Sequence, residues 1–129
     1  GWAALQPRVA FAPSFLSAAG IAVPASMTGI DQTHVWYGRR PALRDHVVVE
    51  NRHEPTTVHV KTYVEERYKL TVYYRRDYGE LFDLRADPGE IDNLWNAPEA
   101  RELKHELIRR LLFAEMGKEP LPMPRIAGA

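Results

Sequence analysis

The stretch from Val58 to Trp95, VHVKTYVEERYKLTVYYRRDYGELFDLRADPGEIDNLW, constrains the fold more than any other part of the chain. Side chains alternate along it with a period of two, the pattern of strands with one buried face. Val58, Val60, Thr62 and Val64 share one side of the first strand. Tyr68, Leu70, Val72 and Tyr74 share one side of the second. Both sets are expected to face one core. That leaves His59, Lys61, Tyr63, Lys69, Thr71, Tyr73 and Arg75 on the outer face. Turns are expected at Glu65-Glu66-Arg67 and Arg76-Asp77-Tyr78-Gly79. A third falls at Asp87-Pro88-Gly89-Glu90, where Asp bonds locally, Pro pre-sets φ and Gly accommodates positive φ.

Such a sheet needs cover, and the following segment supplies it. Asn96 with Glu99 three residues on makes a capping-box pattern, and Pro98 suits the first turn of a helix over Pro98–Met116. Leu103, Leu107 and Leu111, with Ile108 and Leu112, form an apolar stripe. Arg101, Glu102, Lys104, Glu106, Arg109 and Arg110 fall largely on the other side, and Gly117 ends the helix. Upstream, His46–Asn51 (HVVVEN) reads as a strand, and Glu80–Leu84 as a short last one. Arg52–Thr57 reads as a polar loop, because Pro55 opposes continued pairing. The expected class is α+β: an antiparallel sheet of about four strands against one long C-terminal amphipathic helix. A short N-terminal helix is expected over Pro13–Ala19, with Phe15, Leu16 and Ala19 apolar and Gly20 just past its end. Ile21–Met27 reads as a packed apolar loop. Thr28–Arg44 reads as a loop in which Trp36 and Tyr37 need cover. The tail EPLPMPRIAGA is expected to run extended along a surface.

A chain of 129 residues can bury a core without staples. It has no cysteine, so disulfides, thiolate nucleophiles and thiolate metal sites are excluded. Lys+Arg and Asp+Glu both number 17. Zero net charge argues against nucleic acid or an anionic membrane as partner. No run approaches the roughly 20 apolar residues of a membrane helix. The compartment is left undetermined. Gly1 rather than methionine stands first, inside an apolar, proline-punctuated stretch, so the chain reads as a fragment.

Four segments, in order, resemble the C-terminal part of the sulfatases of the alkaline phosphatase superfamily. FAPSFLSAAGIAVPASMTGID resembles the segment closing their large α/β domain, and HVVVENR the strand opening their smaller domain. ERYKLTVYY resembles their Arg-Tyr-Lys-Leu strand. GELFDLRADPGEIDNLW resembles their Glu-Leu-Tyr-Asp-Leu, Asp-Pro-x-Glu, Asn-Leu run. The resemblance implies a boundary near residue 44: 1–44 as the tail of the large domain plus a linker, and 45–129 as the C-terminal subdomain. It implies a catalytic domain as partner, and calcium and formylglycine within that domain. The family's Cys/Ser-x-Pro-x-Arg signature has no counterpart here. None of Ser14, Ser17 and Ser26 has proline two residues on. Asp92-Asn93 is similar to an Asp-Asn metal pair, but it lies in the run after the last strand, where a turn or cap role is expected. No catalytic residue transfers.

Chemistry within the chain itself has few candidates. His34, His46, His53, His59 and His105 show no HxH or HExxH spacing. His46 and His59 on paired strands, with Glu50, would make a zinc set; unrelated exposed sheet positions are the favoured reading. There is no Gly-x-Ser-x-Gly elbow and no phosphate-cradling glycine loop. Arg52 and His53 are the candidate substrate-binding residues: Arg52 suits a bidentate grip on an anion and His53 a hydrogen bond. The expectation is a non-catalytic C-terminal piece of a sulfuric ester hydrolase, completing its fold and one wall of its cleft. The alternative is a free-standing binding module using the Tyr/Lys/Arg sheet face for a polyanion or glycan. The apolar segment 9–27, if orphaned, is a further route to a homodimer.

Overall fold

The computed structural model describes residues 10–27, 29–40, 43–53 and 57–117. The elements run α1 (Phe11–Ala18), α2 (Thr33–Trp36), β1 (His46–His53), β2 (Val58–Glu65), β3 (Tyr68–Tyr73), β4 (Gly79–Asp83) and α3 (Arg101–Met116). The strands form one antiparallel sheet in chain order. Two 3-10 turns, Leu94–Asn96 and Pro98–Ala100, lead into α3. This is the expected α+β class, with its four strands, long C-terminal helix and short N-terminal helix. The expected tail lies outside the described residues.

The faces of β2 are the reverse of those expected. Glu66 and Arg67 alone join Glu65 of β2 to Tyr68 of β3. The register pairs Tyr63 with Leu70, Thr62 with Thr71 and Lys61 with Val72. Odd-numbered residues of β2 therefore share a face with even-numbered residues of β3. A three-residue turn at Glu65-Glu66-Arg67 would have matched even with even; one residue of register inverts a whole strand. Tyr63 thus enters the core, while Val60, Thr62 and Val64 lie on the second face. There Thr62 and Thr71 bond hydroxyl to hydroxyl at 3.1 Å.

The core sits between the first face and α3. Tyr63, Leu70 and Leu81 of the sheet meet Trp95, Ala100, Leu107 and Leu111, with Val48, Tyr68, Val72 and Leu103 packed around them. Leu81 lies opposite Leu70. Of the expected stripe, Leu103, Leu107 and Leu111 face the sheet, whereas Ile108 and Leu112 are exposed. Positions 107 and 111 sit over the sheet, and 108 and 112 are rotated about 100° away.

The run from β4 into α3 is fastened by Asn93. Its Oδ1 accepts from Leu81 N and Trp95 N at 3.0 Å each, and its Nδ2 donates to Gly79 O at 3.0 Å. The expected capping box is replaced: Asn96 closes the first 3-10 turn, and Ala100 precedes α3 without a side-chain cap. Asn93 caps instead, the turn role expected of Asp92-Asn93. In the third turn Asp87 Oδ2 accepts from Ile91 N at 2.6 Å and Asp92 N at 2.8 Å. The left-handed residue is Glu90, at φ 54°, rather than Gly89.

At the other end, α1 and α2 pack on each other. Ser14 is fully buried; its Oγ donates to Ala10 O at 2.5 Å and accepts from Gln32 N at 2.8 Å. Gly20 follows α1 with φ 72°, as a helix stop requires. Phe15, one of the apolar residues of α1, is 63% exposed, with its ring against Trp36 at 5.7 Å. Ile21–Met27 is exposed throughout rather than packed.

Candidate functional site

Arg52 and His53 close β1 as paired strand residues, opposite His59 and Val58. The expected loop therefore begins later than Arg52. Alternation places Glu50 and Arg52 on the face toward α3, and antiparallel pairing sets Lys61 across from Glu50 and His59 across from Arg52. The four side chains form one connected group. Arg52 Nε donates to Glu50 Oε1 at 2.7 Å and to His59 Nε2 at 3.2 Å. Lys61 Nζ lies 3.3 Å from Glu50 Oε2 and also donates to Glu115 Oε2 on α3. The Lys61 hydrogen bond, followed in effect by the Lys61 and Arg52 charges, holds the Glu50 carboxyl below the usual carboxylate range despite partial burial. The His59 ring tilts against Tyr74, centroids 5.5 Å apart.

The arrangement is electrostatically balanced: Glu50 and Glu115 against Arg52 and Lys61. It offers hydrogen-bond recognition rather than a steering field. Arg52 reaches furthest into solvent, its side chain 66% exposed against 25% for His59. His53 is exposed beside it on the opposite face. His59, Lys61 and Glu115 were not singled out from the sequence as one group with Arg52. The pairing rule would have found the first two had the register been known; Glu115 joins only once α3 is laid across the sheet.

His46 and His59 do not meet. His46 pairs with Glu65 and His59 with Arg52, at opposite ends of the β1–β2 ladder, roughly 20 Å apart at strand rise. His46 stacks on Tyr63 at 5.1 Å and bonds Asp45 at 2.7 Å. Among the described residues no group of three His, Cys, Asp or Glu side chains is placed to hold a metal. His34 and His105 are exposed on α2 and α3. The Tyr/Lys/Arg face considered for a polyanion is divided: His59, Lys61 and Tyr63 lie on the α3 side, and Lys69, Thr71 and Tyr73 on the other. Lys61 and Lys69 are each engaged by glutamates.

The chain is similar to known proteins over most of its length. The family model for the C-terminal region of N-sulphoglucosamine sulphohydrolase matches residues 3–116. A delta 4,5-hexuronate-2-O-sulfatase of Bacteroides thetaiotaomicron is 33% identical over 104 residues, covering 78% of this chain and 22% of that protein. An N-acetylglucosamine-6-O-sulfatase of the same organism is 31% identical over 115 residues, covering 84% and 21%. The solved structure of a 2-O GAG sulfatase superposes with a TM-score of 0.75 at 27% identity, covering 88% of this chain and 27% of that one. The chain spans about a fifth of the length of the curated relatives it matches. With the match running from before α1 to the end of α3, the chain belongs to the family of sulfatase C-terminal domains typified by N-sulphoglucosamine sulphohydrolase.

Proposed function

We propose that this chain is the non-catalytic C-terminal part of a sulfuric ester hydrolase. It completes the fold of a catalytic domain and lends one wall to the substrate cleft. The observation that carries the reading is the division of length. The likeness covers 78% of this chain but 22% of a full sulfatase, and the chain has no cysteine and no Ser-x-Pro. The nucleophile, as formylglycine, and calcium belong in the catalytic part. Residues 1–44 are then the tail of the large domain plus a linker, and 45–129 the subdomain. Phe11, Phe15, Ile21, Val23 and Ile30, exposed within twenty residues, are the surface that the catalytic domain covers. A soluble monomer seldom leaves such a run open. Arg52 and His53 reach the cleft and contact an anionic group of the substrate. The two curated sulfatases above act on sulfated sugars, and a sulfated sugar is the substrate class proposed here.

The test has two parts. The pure chain is expected to show no turnover of an aryl sulfate above a blank; turnover refutes the non-catalytic role. Joined to the catalytic part, Arg52→Ala with His53→Ala is expected to raise KM for a sulfated saccharide at least tenfold. Turnover of a small aryl sulfate should be nearly unchanged. An unchanged saccharide KM removes these residues from the site.

A further inference from the structure

We propose that Glu50 and His59 are positioning residues that hold the Arg52 guanidinium in one orientation, with its outer edge presented to an anionic group of the substrate. This rests on Arg52 being a substrate contact, as read above. Both of these bonds use the same atom: Arg52 Nε–H is shared between Glu50 Oε1 at 2.7 Å and His59 Nε2 at 3.2 Å. Neither occupies the Nη1–Nη2 edge, through which a guanidinium grips a carboxylate or sulfate with two parallel bonds. A long side chain with 66% of its surface in solvent would otherwise sample many rotamers, and fixing it beforehand removes that cost from binding.

The rest is itself held. Glu50 is tied by Lys61 at 3.3 Å, and Lys61 by Glu115 of α3. His59 is backed by the Tyr74 ring. Cross-strand pairing puts Arg52 directly opposite His59 and Glu50 directly opposite Lys61.

His59 Nε2 serves Arg52 as an acceptor, which places the imidazole proton on Nδ1.

The experiment follows the Arg52 Nε–Hε signal in nitrogen-15 spectra of the 129-residue chain, identified by its loss in Arg52→Lys. In His59→Gln, whose amide oxygen keeps an acceptor, the signal should stay near its position in the parent chain. In His59→Phe its exchange with water should rise at least threefold. A signal and exchange rate unchanged in His59→Phe, or an equal rise in His59→Gln and His59→Phe, overturns the proposal. Sodium sulfate, added against sodium chloride at equal ionic strength, separates this from the underlying reading. A sulfate-specific shift of Arg52, at least threefold weaker in His59→Phe, supports both. No sulfate effect alongside the faster exchange in His59→Phe overturns the anion role of Arg52 and leaves its contact with His59 standing.

Discussion

Replacing Gly79 by alanine adds one methyl group where there is no room for it. Gly79 opens β4 opposite Val72, and a Cβ built on it would lie 2.5 Å from Cζ3 of Trp95 and 2.6 Å from Cε3 and Cη2. Its φ is not in the left-handed region, so the penalty is steric rather than conformational. The ring has little freedom to yield. Trp95 is buried, its Nε1 donates to Asp77 O at 3.3 Å, its backbone N is capped by Asn93, and Lys104 covers its face at 4.7 Å. Moving the ring would also disturb Gly79 itself, whose carbonyl accepts from Asn93. Overpacking a fixed core position costs about 1–3 kcal/mol. At about 2 kcal/mol, a chain of this length should lose roughly 5–10 °C in Tm. Urea and thermal unfolding of the purified chain measure this. A cycle with Trp95→Leu identifies the cause: in that background the same methyl should cost under about 0.5 kcal/mol, giving a coupling above about 1 kcal/mol. An unchanged midpoint for Gly79→Ala, or an equal loss with and without the indole, would refute the close approach of ring to strand.

Three further outcomes follow from the core and its charges. Leu107→Ala should cost about 2–5 kcal/mol in urea unfolding, whereas Leu112→Ala, at a residue 55% exposed, should stay within about 0.5 kcal/mol in the isolated chain; equal costs would mean that α3 is rotated. Burial, then the neighbouring Glu65 charge, pushes the Tyr63 phenol up to about 12. A raised phenol favours the neutral form, so its contribution is complete below about pH 10, the unfolded value, and fades as pH rises toward 12; Tyr63→Phe should remove the most alkaline step in the 295 nm titration. The Arg67 hydrogen bonds, at 2.9 and 3.0 Å, hold Asp83 below the usual carboxylate range. Its contribution is present above about pH 4 and is lost as pH falls through the lower folded value, so Asp83→Asn should flatten the acid limb of the stability curve, and an unaltered limb would count against the pair.

The scaffold was legible because it rests on short-range chemistry. HVVVEN declares a strand by its β-branched run and the two central runs by alternation, and α3 declares itself by leucines three and four apart. Asn93 was assigned to a turn from its place after β4. Its three hydrogen bonds to Leu81, Gly79 and Trp95 could not be read there, since those partners meet only when β4 and the 3-10 turn fold together. The candidate site was half legible. Arg52 and His53 stand out by residue type, but the company Arg52 keeps depends on which residues of β2 lie across from it.

Alternation by itself determined that Lys61 and Tyr63 travel together, and that Thr62 and Val64 do so on the other side. It did not determine which pair meets the helix. Only the tertiary structure decided that, through a turn of two residues rather than three. A one-residue change in pairing moves every side chain of a strand to the opposite face. Here it carries Tyr63 into the core and Lys61 to Glu115, while the β1–β2 register separately sets His59 across from Arg52.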